Sequence, residues 1–289
     1  MRLATTIITA AAVALGVALW VSHTQPQSAA TTPTNTAFER IMQTGVIRCG
    51  YAAWDPMLRV DPTTKEVSGM ARDVIQAAAR YLDLKVEWTE EVGWGEFNQA
   101  LHNQRIDVFC AGGSPNSERA KASLISAPFV FADLSVIVRA DDTRFDADVR
   151  QLNQPTVRFG QIDGTTAAKI VRTYFAAATA QGYADLVPYS QLALEVASGK
   201  IDATLIPRTI FDLYNQQHPG VLKRLEGPGV NRYLPTVFFV SRHEPQLLHA
   251  LDTAIREILD AGVVAQAIER YQTVPGAFLL PDQPYQTNK

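Results

Sequence analysis

The sequence is poor in the residues that usually announce chemistry. Two cysteines among 289 residues cannot build a disulfide scaffold or a multi-cysteine zinc site. Basic charge is not in excess: 26 lysines and arginines face 29 aspartates and glutamates, a net charge of −3. With a pI near 6.0, the chain lacks the electrostatic footprint of a nucleic-acid binder. Gly-x-Ser-x-Gly, Gly-x-Gly-x-x-Gly and a Lys-containing phosphate loop are all missing, so no local motif signals an enzyme. His243-Glu244 followed by His249 imitates a zinc-protease helix, but the second imidazole lies two residues too far and Pro245 interrupts; that mechanism needs both rings one turn apart. A strand-to-helix turn at the surface explains these residues. Past Val21 no stretch of 18 consecutive apolar residues occurs, so nothing later reads as membrane-spanning.

The N-terminus is where a long apolar run does occur. Arg2 is the only charged side chain before Glu39, and a mostly apolar run of 19 residues begins at Leu3 and ends at Val21. A polar stretch rich in Thr, Ser, Gln and Pro follows, to Thr36. One positive charge, an apolar segment and then small residues describe a secretory signal, and Ser28-Ala29-Ala30 offers cleavage after Ala30. The same run approaches the roughly 20 residues that span hydrocarbon, so an uncleaved inner-membrane anchor is the competing reading. Either way the remainder is exported to the periplasm or another extracytoplasmic space, and membrane contact is confined to this run. Loss of residues 1–30 leaves 259 residues at a charge of −4, with 31–36 as a linker.

The length and the 47% hydrophobic content suit two modest packed domains. Val46-Ile47-Arg48-Cys49-Gly50 reads as a short strand ending at a glycine. Asp73 reads as a helix N-cap, with Val74, Ala77, Ala78, Tyr81 and Leu82 on one face. Residues 84–88 alternate as a second strand, 94–102 read as a helix, and 106–110 as a third strand running into Ala111-Gly112-Gly113. This β-α-β-α-β order implies a parallel sheet with covering helices.

A second unit starts near residue 155, with a strand over 156–161 and a helix opened by Asp163-Gly164-Thr165-Thr166 that runs to about Ala178. Another helix ends at Ser198-Gly199, and 201–206 is a strand. In both units a polar residue, a short gap and Ile-Asp precede the last strand (Asn103 to Asp107, Ser198 to Asp202), which points to two lobes of similar architecture. Near the C-terminus, Leu248, Leu251, Ala254, Ile255, Ile258 and Leu259 form one core-facing helical stripe. Beyond Ala261-Gly262, Val264, Ala267, Ile268 and Tyr271 form a second.

Two loops carry the chemistry of anion capture. At Asp163-Gly164-Thr165-Thr166 a helix start offers unpaired N–H groups and a positive dipole end to a carboxylate, although capping alone explains the same residues. In the first unit Gly112-Gly113-Ser114-Pro115-Asn116-Ser117-Glu118-Arg119 follows a strand in the comparable place. Its small residues leave N–H groups accessible and Arg119 offers a bidentate grip on a carboxylate; a solvated surface arginine is the alternative.

Joined in order and spacing, six stretches carry a specific resemblance: TGVIRCG, SGMARDVIQAAARYLDLKVEW, HNQRIDVFCAGGSPNSERAKASLISAPFVF, FGQIDGTTAAKIV, ASGKIDATLI and LLHALDTAIREILDAGVVAQAIERY. From Phe38 to about Thr273 the chain resembles the bacterial extracellular solute-binding proteins of family 3, the amino-acid-type periplasmic binding proteins. The resemblance implies an α/β, two-lobed periplasmic-binding-protein fold of type II, each lobe a mostly parallel sheet flanked by helices, joined by two hinge crossovers. Lobe 1 is then discontinuous, 37–132 plus 235–289, and lobe 2 is 133–234. It also implies a monomer that closes on a small carboxylate-bearing solute, organic acid or amino-acid-like. The solute would pass to the membrane permease of an ABC transporter, and no cofactor or metal is called for.

Carried over by position, Arg119 matches the arginine that grips the ligand carboxylate, Gly112 and Ser114 match donors in the adjacent loop, and Thr165 and Thr166 match the second lobe's helix start. Trp54 and Trp94 lie near the family's aromatic positions, where they either stack on ligand or serve as core or rim tryptophans. One departure is informative. After Ile201-Asp202-Ala203-Thr204-Leu205-Ile206, where α-amino-acid binders place an aspartate for the ammonium, this chain reads Pro207-Arg208. Proline offers neither charge nor N–H, so an organic acid is expected, with Arg208 favouring a second anionic group if it points inward. A lobe that no longer binds ligand is the other reading. Ala71 replaces the first aspartate of the family's Gly-Phe-Asp segment, while Asp73 remains. Cys49 and Cys110 fall in neighbouring strands, and a disulfide and two buried thiols stand as equal readings. Two further functions share this fold: a periplasmic cyclohexadienyl dehydratase, which needs a cleft acid, and a membrane-anchored sensory or accessory protein.

Overall fold

The computed structural model describes residues 36–227 and 229–281; the expected signal or anchor segment and its cleavage site lie outside the described residues. No helix among those described is long and apolar enough to cross a membrane. Helix α1 (Ala37–Thr44) leads into β1 (Val46–Tyr51), followed by a two-stranded pair, β2 (Arg59–Val60) and β3 (Val67–Ser68). Next come α2 (Met70–Tyr81), β4 (Lys85–Glu91), α3 (Phe97–His102), β5 (Val108–Gly113), α4 (Arg119–Ala122), β6 (Ser123–Ile125) and the long β7 (Val130–Arg139). The middle of the chain forms β8 (Arg158–Ile162), α5 (Thr166–Tyr174), β9 (Thr179–Tyr183), α6 (Tyr189–Ala197), β10 (Ala203–Pro207), α7 (Arg208–Gln217) and β11 (Leu222–Arg224). It ends in the long β12 (Asn231–Ser241), α8 (Pro245–Asp260), α9 (Val263–Tyr271) and β13 (Phe278–Leu279).

The main sheet runs β4-β1-β5-β12-β7-β10-β8-β9. β1 lies parallel to both β4 and β5, and β8 lies parallel to both β9 and β10, the two parallel triplets that βαβ connections produce. Between them β7 and β12 run antiparallel, Val130 opposite Thr236 and Ser135 opposite Asn231. β12 continues alongside β5 and β6, and β7 alongside β10, so the chain leaves the first triplet along β7 and returns along β12. The lobe boundaries expected from the sequence fall inside these two strands.

The two triplets are built on one repeated device. Asp107, just before β5, accepts the Arg48 backbone N–H (2.8 Å) and donates its own to the Arg48 carbonyl (2.9 Å). Asp202, just before β10, does the same with Arg158 at 2.9 and 2.8 Å. Each arginine side chain then grips its aspartate and caps a carbonyl of the preceding turn, Gln104 or Gly199, both at 2.8 Å. A second arginine completes each carboxylate, Arg40 for Asp107 and Arg144 for Asp202. Two residues beyond each strand arginine stands a glycine, and a Cβ there would lie 2.5 Å (Gly50) or 2.3 Å (Gly160) from Cδ1 of the isoleucine that precedes the aspartate. Arg-x-Gly on one strand and Ile-Asp before its neighbour thus lock the two strands in register. Only the Ile-Asp half of this device is conspicuous in the sequence.

Local departures from expectation have local causes. Asp73 is not a cap: α2 starts at Met70 behind Gly69 (φ 118). Asp73 sits in the first turn and accepts from Arg270 (2.8 Å) and the Tyr271 hydroxyl (2.9 Å), tying α2 to α9. α3 begins only at Phe97, and α5 stops at Tyr174. The polar, exposed edge strand β9, with too few apolar residues to show alternation, follows. On α8 the buried stripe is Leu247, Leu251, Ala254, Ile255 and Ile258, with Leu248 and Leu259 packed at its margin. Glu244 is buried, and its carboxylate accepts the backbone N–H groups of Ala37 (2.7 Å) and Phe38 (3.1 Å), capping α1. Cys49 and Cys110 form a disulfide across β1 and β5. Closing a loop with a sequence separation of 61 stabilises the fold by about 4 kcal/mol in the chain-entropy account.

The Arg–Asp device makes stability pH-dependent in a defined window. Burial pushes the Asp202 carboxyl up, but hydrogen bonds from Arg158 and Arg144 outweigh it and hold the group at about 2. A carboxyl that titrates below its unfolded value, about 3.9, contributes fully above that value and loses its contribution as pH falls through the folded one. Thermal unfolding midpoints should therefore fall between about pH 4 and pH 2, and Asp202→Asn should lower the midpoint at pH 7 while flattening that acid limb. An unchanged acid limb in the variant would show that another group controls it.

Candidate functional site

The segments that follow β1, β4, β5, β8 and β9, with the end of β10, converge on one small cavity of about 40 Å³. The first triplet supplies Trp54, Trp94, Gly113, Ser114 and Arg119; the second supplies Thr165, Thr166, Ala167, Tyr189 and Pro207. The crossing strands close it with Ala132, Asp133, Leu134 and Leu234. Ligand sites of open α/β sheets lie beyond the carboxyl ends of the strands in this way.

Arg119 dominates the electrostatics. It is only 4% exposed, and its guanidinium donates to three backbone carbonyls: Ser114 (2.8 Å), Gly164 (2.9 Å) and Trp94 (3.5 Å). It also lies over the rings of Phe97, Phe239 and Trp94 at 5.0, 5.5 and 5.7 Å, contacts worth about 0.5–2 kcal/mol each. No carboxylate pairs with it among the described residues. Burial pulls its pKa down to about 10, with Tyr189 and Glu118 pulling back upward. Removing a cation from water costs several kcal/mol unless an anion answers it, so the cavity is poised for negative charge.

The other expected residues fall into three groups. Ser114, Thr165 and Thr166 line the cavity with Arg119. Thr165 caps α5, accepting from the Ala168 N–H (3.1 Å) and donating to the Ile162 carbonyl (2.7 Å). The Thr166 hydroxyl donates to the Ser114 carbonyl (2.8 Å) and accepts from Asn116 Nδ2 (3.1 Å). With both hydroxyls engaged, the groups left for an anion are helix-start N–H donors at Thr166 and Ala167, which have no intrahelical acceptor. Trp54 and Trp94 also line the cavity, largely buried, and Trp54 is fixed by its Nε1–H bond to the Ala111 carbonyl (2.8 Å).

Two expected residues stand apart from it. Gly112 does not line the cavity; at φ +72 it packs where a Cβ would meet Phe129, Thr236 and Met57 at 3.1–3.2 Å, and Gly113 takes its place. Arg208 does not point inward to receive a second anion. It lies between Asp212 (3.4 Å) and Asp133 (3.7 Å), because the first turn of α7 places both carboxylates within its reach. Pro207 lines the cavity, so the position of the expected ammonium acceptor carries no charge.

Besides apolar residues, two titratable lining residues escaped the sequence reading. Asp133 is the one acidic lining residue, but its carboxylate is occupied by Ser135 Oγ (2.7 Å) and Arg224 (3.0 Å). Tyr189 opens α6, and burial pushes its hydroxyl up to about 12 against the opposing pull of Arg119. The Pro188-Tyr189 pair at a helix start is the only signal that would have located it.

The cavity is small because the two triplets touch directly. Besides Arg119–Gly164 and Thr166–Ser114, the Asp185 carboxylate accepts the Gly95 N–H (3.3 Å), and Lys169 reaches Ser117 and Glu118, both at 2.9 Å. Gly164, at φ +75, meets Gly95 so closely that a Cβ would lie 2.4 Å from its backbone nitrogen.

Comparison with known proteins places this geometry. The sequence pattern of the bacterial extracellular solute-binding proteins, family 3, matches residues 47–274. No protein of curated function matches the chain. Among solved structures, an ancestral arginine-binding protein bound to arginine is 22% identical, with a TM-score of 0.68 over 79% of this chain and 98% of that one. The ancestral amino acid-binding protein described as a precursor of cyclohexadienyl dehydratase is 22% identical, TM-score 0.70, covering 82% and 99%. The solute receptor for L-cysteine of Neisseria gonorrhoeae is 18% identical, TM-score 0.69, covering 84% and 98%. The fold is the two-lobed type II periplasmic-binding-protein architecture expected from the sequence.

Gly164→Ala should prop the triplets apart, since a Cβ cannot share space with the Gly95 nitrogen. Small-angle X-ray scattering of the variant should give a larger radius of gyration than wild type. Equal radii would mean that the Gly164–Gly95 contact does not limit closure.

Proposed function

Because the chain belongs to the bacterial extracellular solute-binding proteins, family 3, we propose that it is an exported receptor for a small carboxylate-bearing solute. It holds the carboxylate on Arg119 and on the N–H groups at the start of α5, and passes the solute to the permease of an ABC transporter. One observation carries this reading: a guanidinium nearly removed from water, ringed by carbonyls and aromatic faces, has no acid partner among the described residues. Two structural neighbours are an arginine-binding protein and a receptor for L-cysteine; both ligands carry a carboxylate, which supports the same class. In this account residues 37–132 plus 235–289 form one lobe and 133–234 the other. The paired strands β7 and β12 are the hinge.

The cavity favours organic acids over α-amino acids. Pro207 brings no carboxylate to the ammonium position, and the Asp133 carboxylate is already shared by Ser135 and Arg224. The same occupancy weighs against a dehydratase, an activity whose amino acid-binding precursor is among the structural neighbours. That reaction needs a free acid beside the departing hydroxyl.

Isothermal titration calorimetry with a panel of small carboxylates tests the proposal. Propionate should bind at least as tightly as alanine. Arg119→Gln, verified as folded by circular dichroism, should weaken carboxylate binding about 10- to 150-fold, the equivalent of about 1.5–3 kcal/mol for a charged hydrogen bond. Equal affinities in wild type and variant would overturn the assignment.

A further inference from the structure

Beyond the carboxylate cavity lies a second, larger recess that the family reading leaves unassigned. Its volume is about 320 Å³, against about 40 Å³ for the cavity that holds Arg119. At roughly 10–15 Å³ per water-sized group, the inner space accommodates a carboxylate and little else. The two spaces share a wall made of Trp54 and Tyr189. Trp54 is pinned by its bond to the Ala111 carbonyl, whereas the Tyr189 hydroxyl has no hydrogen-bond partner among the described residues. Tyr189 is therefore the part of the wall held by packing alone.

The outer recess is apolar where it matters. Leu58, Ile210, Leu213 and Tyr214 line it, and Leu213, on α7, is 44% exposed. Its charged residues, Asp55 and Arg59, neutralise one another at 2.6 Å, and its other polar groups, Ser190 and Gln217, are uncharged. A ligand reaching this space from Arg119 thus meets hydrocarbon and aromatic rings, with no spare charge for a second carboxylate or an ammonium.

We propose that the outer recess is a tail site, and that the solute is a monocarboxylate with an apolar tail running from Arg119 past Tyr189 to Leu213. This rests on the carboxylate reading and specifies its substrate class. Desolvating a tail in such a recess contributes roughly 0.8 kcal/mol per methylene, which is about a fourfold gain in affinity for each one.

Calorimetric titration of the full exported chain with acetate, butyrate, hexanoate and octanoate reads this directly. Affinity should climb about fourfold per added methylene, 3-phenylpropionate should bind at least as well as butyrate, and hexylamine should not bind. Leu213→Asp places a charge at an already exposed position, so the fold survives. Its gain per methylene should fall below about twofold, since the charge keeps the recess hydrated. Equal affinity across the four acids, or tighter binding of malate than of hexanoate, would overturn the tail site while leaving the Arg119 assignment standing. Absence of binding by every carboxylate tested, alanine and arginine included, would overturn both.

Discussion

The structure turns on a cation, Arg119, that no carboxylate among the described residues neutralises. Arg119 is carried into a nearly dry pocket by a short helix, where carbonyls of Ser114, Gly164 and Trp94 and the faces of three aromatic rings surround it. Carbonyls and π-faces soften the desolvation cost but carry no net charge, so the site retains an electrostatic demand that only an anion satisfies. Much of the local sequence serves that placement. Gly113 leaves room for the guanidinium, where a Cβ would stand 3.2 Å from Nη1, and Gly164 lets the second triplet come close enough to offer its carbonyl. Asn116 orders the loop between them, accepting the Arg119 N–H at 3.0 Å while donating to Thr166.

The same arginine explains why two similar halves make one site. Each triplet is stiffened far from the cavity by its own Arg–Asp clamp, Arg48 with Asp107 and Arg158 with Asp202. At the opposite, carboxyl ends of the strands each triplet supplies part of the cavity's lining. One half brings the cation and the fixed Trp54; the other brings a helix start and Tyr189. Neither half lines the cavity alone, and among the described residues only the antiparallel pair β7 and β12 carries the main chain from one to the other. Binding energy gathered from both halves is what shifts such an assembly toward its closed form.

Much of this was legible in the chain. Apolar periodicity located the helices and parallel strands, because βαβ units bury one face of each element and the pattern survives in single residues such as Val74, Ile255 and Val264. The small-residue loop ending in Arg119 and the Thr165–Thr166 helix start both reached the cavity. What was not legible depends on contacts between distant segments. Arg208 turns away because Asp133 and Asp212 lie within its reach, and no reading of Pro207-Arg208 alone contains that information. Asp73 caps nothing because Gly69 starts the helix earlier and Tyr271, some 198 residues on, claims the carboxylate. Tyr189 and Asp133 have no motif around them, and β9 is too polar to alternate visibly.

The central claim is that the Arg119 guanidinium is the group that receives the solute's charge. Its most direct test is an NMR titration that follows arginine Nε–Hε signals of the isotopically labelled protein as hexanoate is added. The account requires one arginine signal, absent from the Arg119→Gln variant, to shift in step with occupancy and to become protected from solvent exchange. Saturable hexanoate binding that leaves that signal unmoved, or binding undiminished in Arg119→Gln, would contradict it.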